Sequence, residues 1–422
     1  YISHILPELG EENIKEMSFD LFAYKQLRDT VSDCEDRYDE IERRIRFPQK
    51  ASLAEEKQSM EFINLMERYL VELEDRLMNF RDVEYNGFVK TESEIIELFY
   101  FKFQDFPLLS RMEAVAEYFI DQVETLRDRD LADEEKEELT ERFQQMYETR
   151  DCYILYSRFL EQEGYKALPR LPLEKRKLRY EDVYPILYLK YSLFRCKGHH
   201  GIKHVVVDEM QDYSWIQFVL LKKLFPCKMT ILGDKAQTME EQQQDVLKFL
   251  PKIFGRDIRK IVMNRSYRNT MEIAQYANRL TGVSDIELFD RHGDAVEEMQ
   301  FKNLHTALDR VLEKWEQKRE DYETEALVLF TEREAEHAFL YLEEKLRTLD
   351  PDGEYQLTYM NRDSQNFKKG LTVTTFYLAK GLEFDQVFGV FHAADNSGLA
   401  AQARYITATR ALHELHMYDV ED

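Results

Sequence analysis

The run HVVVDEMQD at residues 204–212 decides how the rest of the chain reads. Val205, Val206 and Val207 form a short apolar strand that stops at two acids, Asp208 and Glu209. An uninterrupted β-branched run is the pattern of a buried parallel strand, and in open α/β sheets ligands bind beyond the carboxyl ends of the strands. Two carboxylates at such a place suit a magnesium nucleotide, Asp208 holding the ion or its waters and Glu209 orienting and deprotonating an attacking water. The competing reading of the same residues is a buried strand with a polar exit, and the segments that follow weigh against it.

Downstream of residue 181 short apolar runs alternate with helical patterns, which argues for parallel sheets. Strands are expected at 204–207, 229–232, 260–263, 326–330, 371–375, 386–391 and 414–418, with helical periodicity at 270–280 and 332–346. Four further segments sit among them. ILGDKAQTM at 231–239 brings Gln237, an amide that can bond a phosphate oxygen and the attacking water together. NRSYRN at 264–269 brings Tyr267, a flat face for a base, and Arg268, a fork for phosphate oxygens. TTFYLAKGLEFDQV at 374–387 brings Gly381, read as allowing close backbone approach at a strand-to-helix turn, and Glu383, an acceptor for ribose hydroxyls. YITATRA at 405–411 delivers Arg410. Two arginines facing two acids describe an ATPase whose site lies in a cleft, where arginine stabilises charge on the transferring phosphate.

The five segments, in this order, resemble the UvrD/Rep/PcrA class of superfamily 1A helicases. HVVVDEMQD is similar to motif II, ILGDKAQ to motif III, NRSYRN to motif IV, TTFYLAKGLEF to motif V and YITATRA to motif VI, and the likeness runs over residues 181–422. The opening YISHILPELGEEN, with an acidic helical insertion after it, resembles the HelD branch, whose members act on RNA polymerase and recycle stalled complexes. The resemblance implies ATP and Mg²⁺ as cofactors. It assigns Mg²⁺ coordination to Asp208, water activation to Glu209, γ-phosphate sensing to Gln237 and γ-phosphate contact to Arg268 and Arg410. Tyr267 would stack on adenine and Glu383 would take the ribose. The chain departs from the pattern at Tyr377, where His is usual, and at Asn269, where Ser is usual. Residues 282–371 leave no room for the large second-domain insertion of UvrD and Rep. None of the 14 glycines is followed by Lys, so no GxxxxGK[ST] phosphate loop exists in these residues. The expectation is an N-terminally truncated chain whose phosphate loop lies upstream.

The implied fold is α/β: two RecA-like parallel-sheet domains, the first incomplete, with a large all-α insertion in the first. Residues 1–24 read as a remnant of the first RecA-like domain and 25–180 as the helical insertion. Residues 181–255 read as the rest of the first domain with motifs II and III, and 256–422 as the second with motifs IV, V and VI. In the insertion Ile63, Met66, Leu70, Leu73, Leu77 and Phe80 recur at helical spacing, and Thr91 with Glu94 and Ser110 with Glu113 match the capping-box pattern.

Composition bounds the rest. A net charge of −24 repels duplex DNA, and between Arg111 and Arg150 there are 13 acids against 6 bases, a face that is either solvated or meets a basic partner. No run of about 18 apolar residues is present to span a membrane. Cys34, Cys152, Cys196 and Cys227 lie far apart, as reduced cytoplasmic thiols do. His199, His200 and His204 have no cysteine or acid at metal spacing and read as a solvated loop. The function implied is the C-terminal motor of an ATP-dependent, HelD-type DNA helicase or translocase, inactive by itself, that remodels RNA polymerase–nucleic acid complexes in the cytoplasm. Its partners would be DNA, single-stranded or in transcription complexes, and RNA polymerase. The alternative is a 3′–5′ helicase acting directly on single-stranded DNA in repair or recombination.

Overall fold

The computed structural model describes residues 17–47, 51–195, 198, 199, 201–234, 237, 246–263, 265–281, 287–318, 320–349, 355–362, 364, 369–394 and 398–421. The opening YISHILPELGEEN, His200, Cys196 and Asn264 therefore lie outside the described residues. The chain divides into two compact units: Tyr1–Glu40, Gln49–Lys203 and Ser214–Lys228 form the first, and Ile41–Pro48, His204–Tyr213 and Met229–Asp422 the second.

The first unit is helical. Helices Phe19–Gln26, Met60–Arg76, Arg111–Arg127, Asp133–Gln144, Cys152–Gln162, Tyr180–Leu193 and Trp215–Leu224 share one hydrophobic core. Tyr180–Leu193 is buried nearly all round, as a central helix must be. Its Asp182 is kept there by Lys57 (Nζ to Oδ1, 2.6 Å) and the Tyr156 hydroxyl (2.7 Å), because a buried carboxylate without partners is strongly destabilising. The apolar seam packs inward: Ile63, Met66, Leu73 and Leu77 are buried, and Leu70 and Phe80 lie against the same core. None of the 13 acids between Arg111 and Arg150 is buried.

Two local details differ from the sequence reading. Thr91 and Glu94 form the expected capping box. A helix does start after Ser110, but Ser110 makes no cap: its Oγ accepts the backbone N–H of Arg195 (2.9 Å). A long-range donor outcompeted the local one. The block also contains an antiparallel hairpin, Val83–Tyr85 with Phe88–Lys90, turning through Asn86 and Gly87 at φ +50° and +84°. Asn-Gly between two β-branched or aromatic runs is its sequence signal.

The second unit holds the larger sheet. His204–Val207 (β1) pairs with Lys228–Ile231 (β2). Six more strands, Glu297–Phe301 (β3), Thr324–Leu329 (β4), Leu357–Tyr359 (β5), Gly370–Thr375 (β6), Phe384–His392 (β7) and Ala411–Val420 (β8), form one sheet in the order β5-β6-β4-β7-β8-β3. Every pairing in it is parallel. Helices Leu304–Lys318 and Glu332–Leu349 bury Leu308, Val311, Trp315, Ala338 and Leu342 with Leu327, Val373, Phe388 and Tyr418 of the sheet. Helix Gly398–Ala408 packs on β7, where a Cβ on Gly389 would stand 3.0 Å from Thr407 Cγ2. This α/β unit with its six-stranded parallel sheet is consistent with a RecA-like helicase domain.

Two strand expectations need correction. The run at 260–263 is not a strand: Ile261, Val262 and Met263 are exposed, Met263 by 92%. β-branched residues favour a strand only where a ladder partner is present, and among the described residues none pairs there. β1 is not the buried strand its composition suggests, since Val206 is 63% exposed and only Val207 is buried. A two-stranded ladder leaves both faces open. Conversely, β3 and β5 escaped the sequence reading. They are the two edges of the sheet: β5 has only three residues, and β3 carries two glutamates.

Glu325 on β4 is buried in register with Gln386, and its Oε2 has no hydrogen-bond partner among the described residues. Burial, then the neighbouring Asp385, pushes its carboxyl up to about 7. The raised value means this group stabilises the fold below its unfolded value and loses that contribution as pH rises through about 7. Glu325→Gln should therefore melt close to the parent at pH 5 and gain on it by pH 8, by about 2 kcal/mol. Thermal denaturation at the two pH values checks this; a constant difference would contradict it.

Candidate active site

The described residues of the five motif segments lie within the second unit. β1 ends in a sharp turn because Glu209 adopts φ +53°, ψ +44°, a left-handed conformation that disfavours side-chain-bearing residues by about 1–2 kcal/mol. Strain of this kind persists only where surrounding contacts over-determine it. Here the Glu209 N–H donates to Asp208 Oδ1 (2.9 Å), and Gln211 Nε2 donates to Glu209 Oε2. Gln211 Oε1 in turn accepts the N–H of Asp234 (3.0 Å). One amide thus ties the DEMQD turn to the loop after β2. Gly233 lets them approach, since a Cβ there would fall 2.6 Å from Met210 Cγ and 2.9 Å from Met210 N.

Gln237 is buried, its Nε2 donating to Asp234 Oδ2 (2.8 Å) and its Oε1 accepting Arg410 Nη2 (2.7 Å). Arg410 is only 1% exposed. Its guanidinium also donates to the carbonyls of Leu382 (3.1 Å) and Ile406 (3.2 Å) and to Thr409 Oγ1 (3.1 Å). Burial first, and then the like charge of Arg268, lowers its pKa to about 10, against the opposing pull of Glu209, Glu383 and Asp234. It stays cationic at neutral pH, with those acids close enough to matter.

Arg268 Nε pairs with Glu383 Oε1 at 2.7 Å, both side chains roughly half exposed. Tyr267 is 60% exposed, with its ring 5.3 Å from that of Phe289. Asp208 is exposed. Asn269 Nδ2 donates to the Ala411 carbonyl (2.6 Å). No protein atom among the described residues lies within 4 Å of the would-be Cβ of Gly381. Glycine is demanded by φ +83°, at the turn from the short helix Phe376–Ala379 into β7.

Three residues at the centre were missed. Lys380, 5% exposed in its side chain, donates to Asp212 Oδ2 (2.5 Å) and the Gln237 carbonyl (2.6 Å) and lies 3.6 Å from Glu209 Oε2. Asp212 and Gln211 complete the set. Each stands inside a motif already quoted; the available signal was a lysine beside a conformationally required glycine. The contacts join segment 208–212, Asp234, Gln237, segment 380–383 and Arg410 into one charged cluster, with Arg268 joining through Glu383. Its donor set suits a polyanion beside a hard cation: carboxylate oxygens for Mg²⁺, which needs only one or two of them, and guanidinium forks for phosphate.

Comparison with known proteins agrees with the family that these segments suggest. A model of the UvrD/REP helicase N-terminal domain matches residues 2–239, more than half of the chain. The chain belongs to the UvrD/REP helicase family. No curated protein matched it by sequence. Among solved structures, this UvrD-like chain has similarity to the C-terminal domain of a possible DNA helicase from Lactobacillus plantarum (23% identity, 37% of this chain and 88% of that one, TM-score 0.30). It is also similar to a PRRSV helicase (13% identity, 63% and 45%, TM-score 0.28) and to Mycobacterium smegmatis helicase Lhr bound to ssDNA and AMP-PNP (12% identity, 64% and 37%, TM-score 0.29). The chain thus spans less than half of each of the latter two. Among the described residues, no helix is long and apolar enough to cross a membrane.

The close approach at Gly233 makes a test of the cluster's geometry. Gly233→Ala forces a methyl against the Met210 backbone and should cost about 1–3 kcal/mol. A melting temperature equal to the parent's would show that the two loops do not pack as described.

Proposed function

We propose that the chain is the motor part of an ATP-dependent UvrD-like helicase of the HelD type, coupling ATP hydrolysis to remodelling of RNA polymerase–nucleic acid complexes. The observation that carries the ATPase reading is the buried Arg410 guanidinium on Gln237 Oε1, within the field of Glu209 and Glu383. A buried cation that reaches a phosphate-sensing amide is what phosphoryl transfer needs, because catalysis there is positioning and charge stabilisation.

In this reading Glu209 accepts the proton of the attacking water, and Gln237 orients that water and reports on the γ-phosphate. Arg268 and Arg410 take charge from the transferring group, Tyr267 stacks on adenine, and Glu383 accepts from the ribose after release from Arg268. Asp208 would hold Mg²⁺, which supplies neutralisation of phosphate charge when bound. The proposal requires a GxxxxGK[ST] loop outside these 422 residues. It treats 1–24 with 181–255 as the first RecA-like domain, 25–180 as its insertion and 256–422 as the second.

The polymerase assignment is supported by the solvated acidic face at 111–150, which suits a basic protein surface better than DNA. The family match itself favours the second reading, a 3′–5′ helicase working directly on single-stranded DNA. Retention of RNA polymerase by the chain, set against titration with single-stranded DNA, separates the two. Tight DNA binding without polymerase retention would restore the direct helicase.

The 422-residue chain alone should show no turnover near ordinary enzyme values of about 1–10³ s⁻¹ at millimolar Mg-ATP. In the full-length protein Glu209→Gln should abolish turnover while fluorescent-nucleotide binding persists; loss of binding would make Glu209 structural. Arg268→Ala and Arg410→Ala should each lower turnover at least about 10³-fold. An unaffected rate removes that arginine from the site.

A further inference from the structure

Tyr377, the residue at the motif V position where His is usual, is buried, and its hydroxyl donates to Glu42 Oε1 at 2.6 Å. Burial, and then this bond to a carboxylate, holds the phenol well above its ordinary range. The same Glu42 oxygen accepts the backbone N–H of Glu332 at 2.8 Å. Glu332 is the first residue of helix Glu332–Leu349, where Thr331 and Glu334 form a reciprocal cap (Thr331 N–H to Glu334 Oε2, 3.0 Å; Glu334 N–H to Thr331 Oγ1, 3.2 Å). That cap leaves the Glu332 N–H over, and Glu42 accepts it. The carboxylate sits there although the Glu332 side chain, held by Arg362 (2.7 and 3.1 Å), carries like charge. Glu42 comes from helix Arg37–Arg46 and is 335 positions away from Tyr377.

We propose that Glu42 is a positioning residue for the motif V loop. It accepts from a buried phenol and an orphan helix N–H, and so fixes the short helix Phe376–Ala379 that ends directly at Lys380. In this way Glu42 sets where Lys380 meets Asp212 and the Gln237 carbonyl, and where Glu383 meets Arg268. Without Glu42 the buried phenol loses this acceptor, a cost of about 1–3 kcal/mol, and the half-buried Glu332 N–H loses its own; the loop relieves both by opening to water. That the loop serves ATP turnover rests on the function proposed above; the tether itself does not.

Hydrogen exchange on the 422-residue chain tests the tether without nucleotide. Glu42→Ala and Tyr377→Phe should each speed exchange of residues 376–384 by at least about tenfold, and the double variant no further than either. Glu42→Gln keeps an accepting oxygen and should stay within about twofold of the parent. Amides of β8 outside that loop should not change. Unchanged exchange at 376–384 in Tyr377→Phe, which keeps the buried ring, overturns the proposal even if Glu42→Ala misfolds. In the full-length protein Glu42→Ala should lower kcat about tenfold per nucleotide-binding site with KM for Mg-ATP unchanged. Unchanged kcat per site would leave Glu42 a structural residue and also overturn it. Glu209→Gln runs beside it: turnover retained there defeats the ATP-site reading, while the exchange result stands independently.

Discussion

A guanidinium removed from water must find acceptors, and the second unit is organised around that requirement at Arg410. Leu382 and Ile406 supply carbonyls, Thr409 a hydroxyl and Gln237 an amide oxygen. These acceptors belong to the loop before β7, the end of helix Gly398–Ala408 and the loop after β2. Satisfying one cation therefore fixes three segments against each other. A buried charge that loses a partner is strongly destabilising, so the arrangement tolerates little slack. The acids follow from the same balance: Glu209, Glu383 and Asp234 oppose the repulsion of Arg268 and keep Arg410 charged. Lys380 acts in parallel, holding Asp212 and the Gln237 carbonyl.

Much of this was legible in the residues, and what was missed follows physical lines. The central strands β4, β6, β7 and β8 read clearly because both faces are covered, so each carries a short run of apolar or β-branched residues even where polar ones interrupt it. Edge strand β5 did not, because it has only three residues, and edge strand β3 did not, because EEMQF is mostly polar; Glu297 shows how that charge is used. Burial alone would raise its carboxyl, but Arg310, Tyr418 and His416 outweigh that and hold it at about 2. The run at 260–263 has strand composition without a ladder partner. Composition cannot report what a segment is paired with. The same limit separates Thr91, whose cap is local, from Ser110, whose partner Arg195 is 85 positions away.

The candidate site divides likewise. Asp208, Glu209, Gln237, Arg268, Glu383 and Arg410 were recognisable by residue type and order. The contacts that join them were not: Gln211 bridging Glu209 to Asp234, Lys380 on Asp212, and Arg268 on Glu383 rather than standing free. From sequence alone Tyr377 was only a departure from the motif V pattern, which usually has His there. Its bond to Glu42 gives the substitution another meaning, because the phenol places a hydroxyl donor on that carboxylate from a buried position. A departure from a family pattern can thus record a new internal partner.

The claim that the second unit carries the nucleotide is tested most directly by photolabelling. The full-length protein, irradiated with 8-azidoadenosine triphosphate and Mg²⁺ and digested for mass spectrometry, should carry its adenine adduct at Tyr267 or the residues beside it. Excess ATP should compete the label away, and Arg410→Ala should reduce it. Labelling confined to peptides elsewhere in the chain, with the Tyr267 peptide unmodified, would contradict the account.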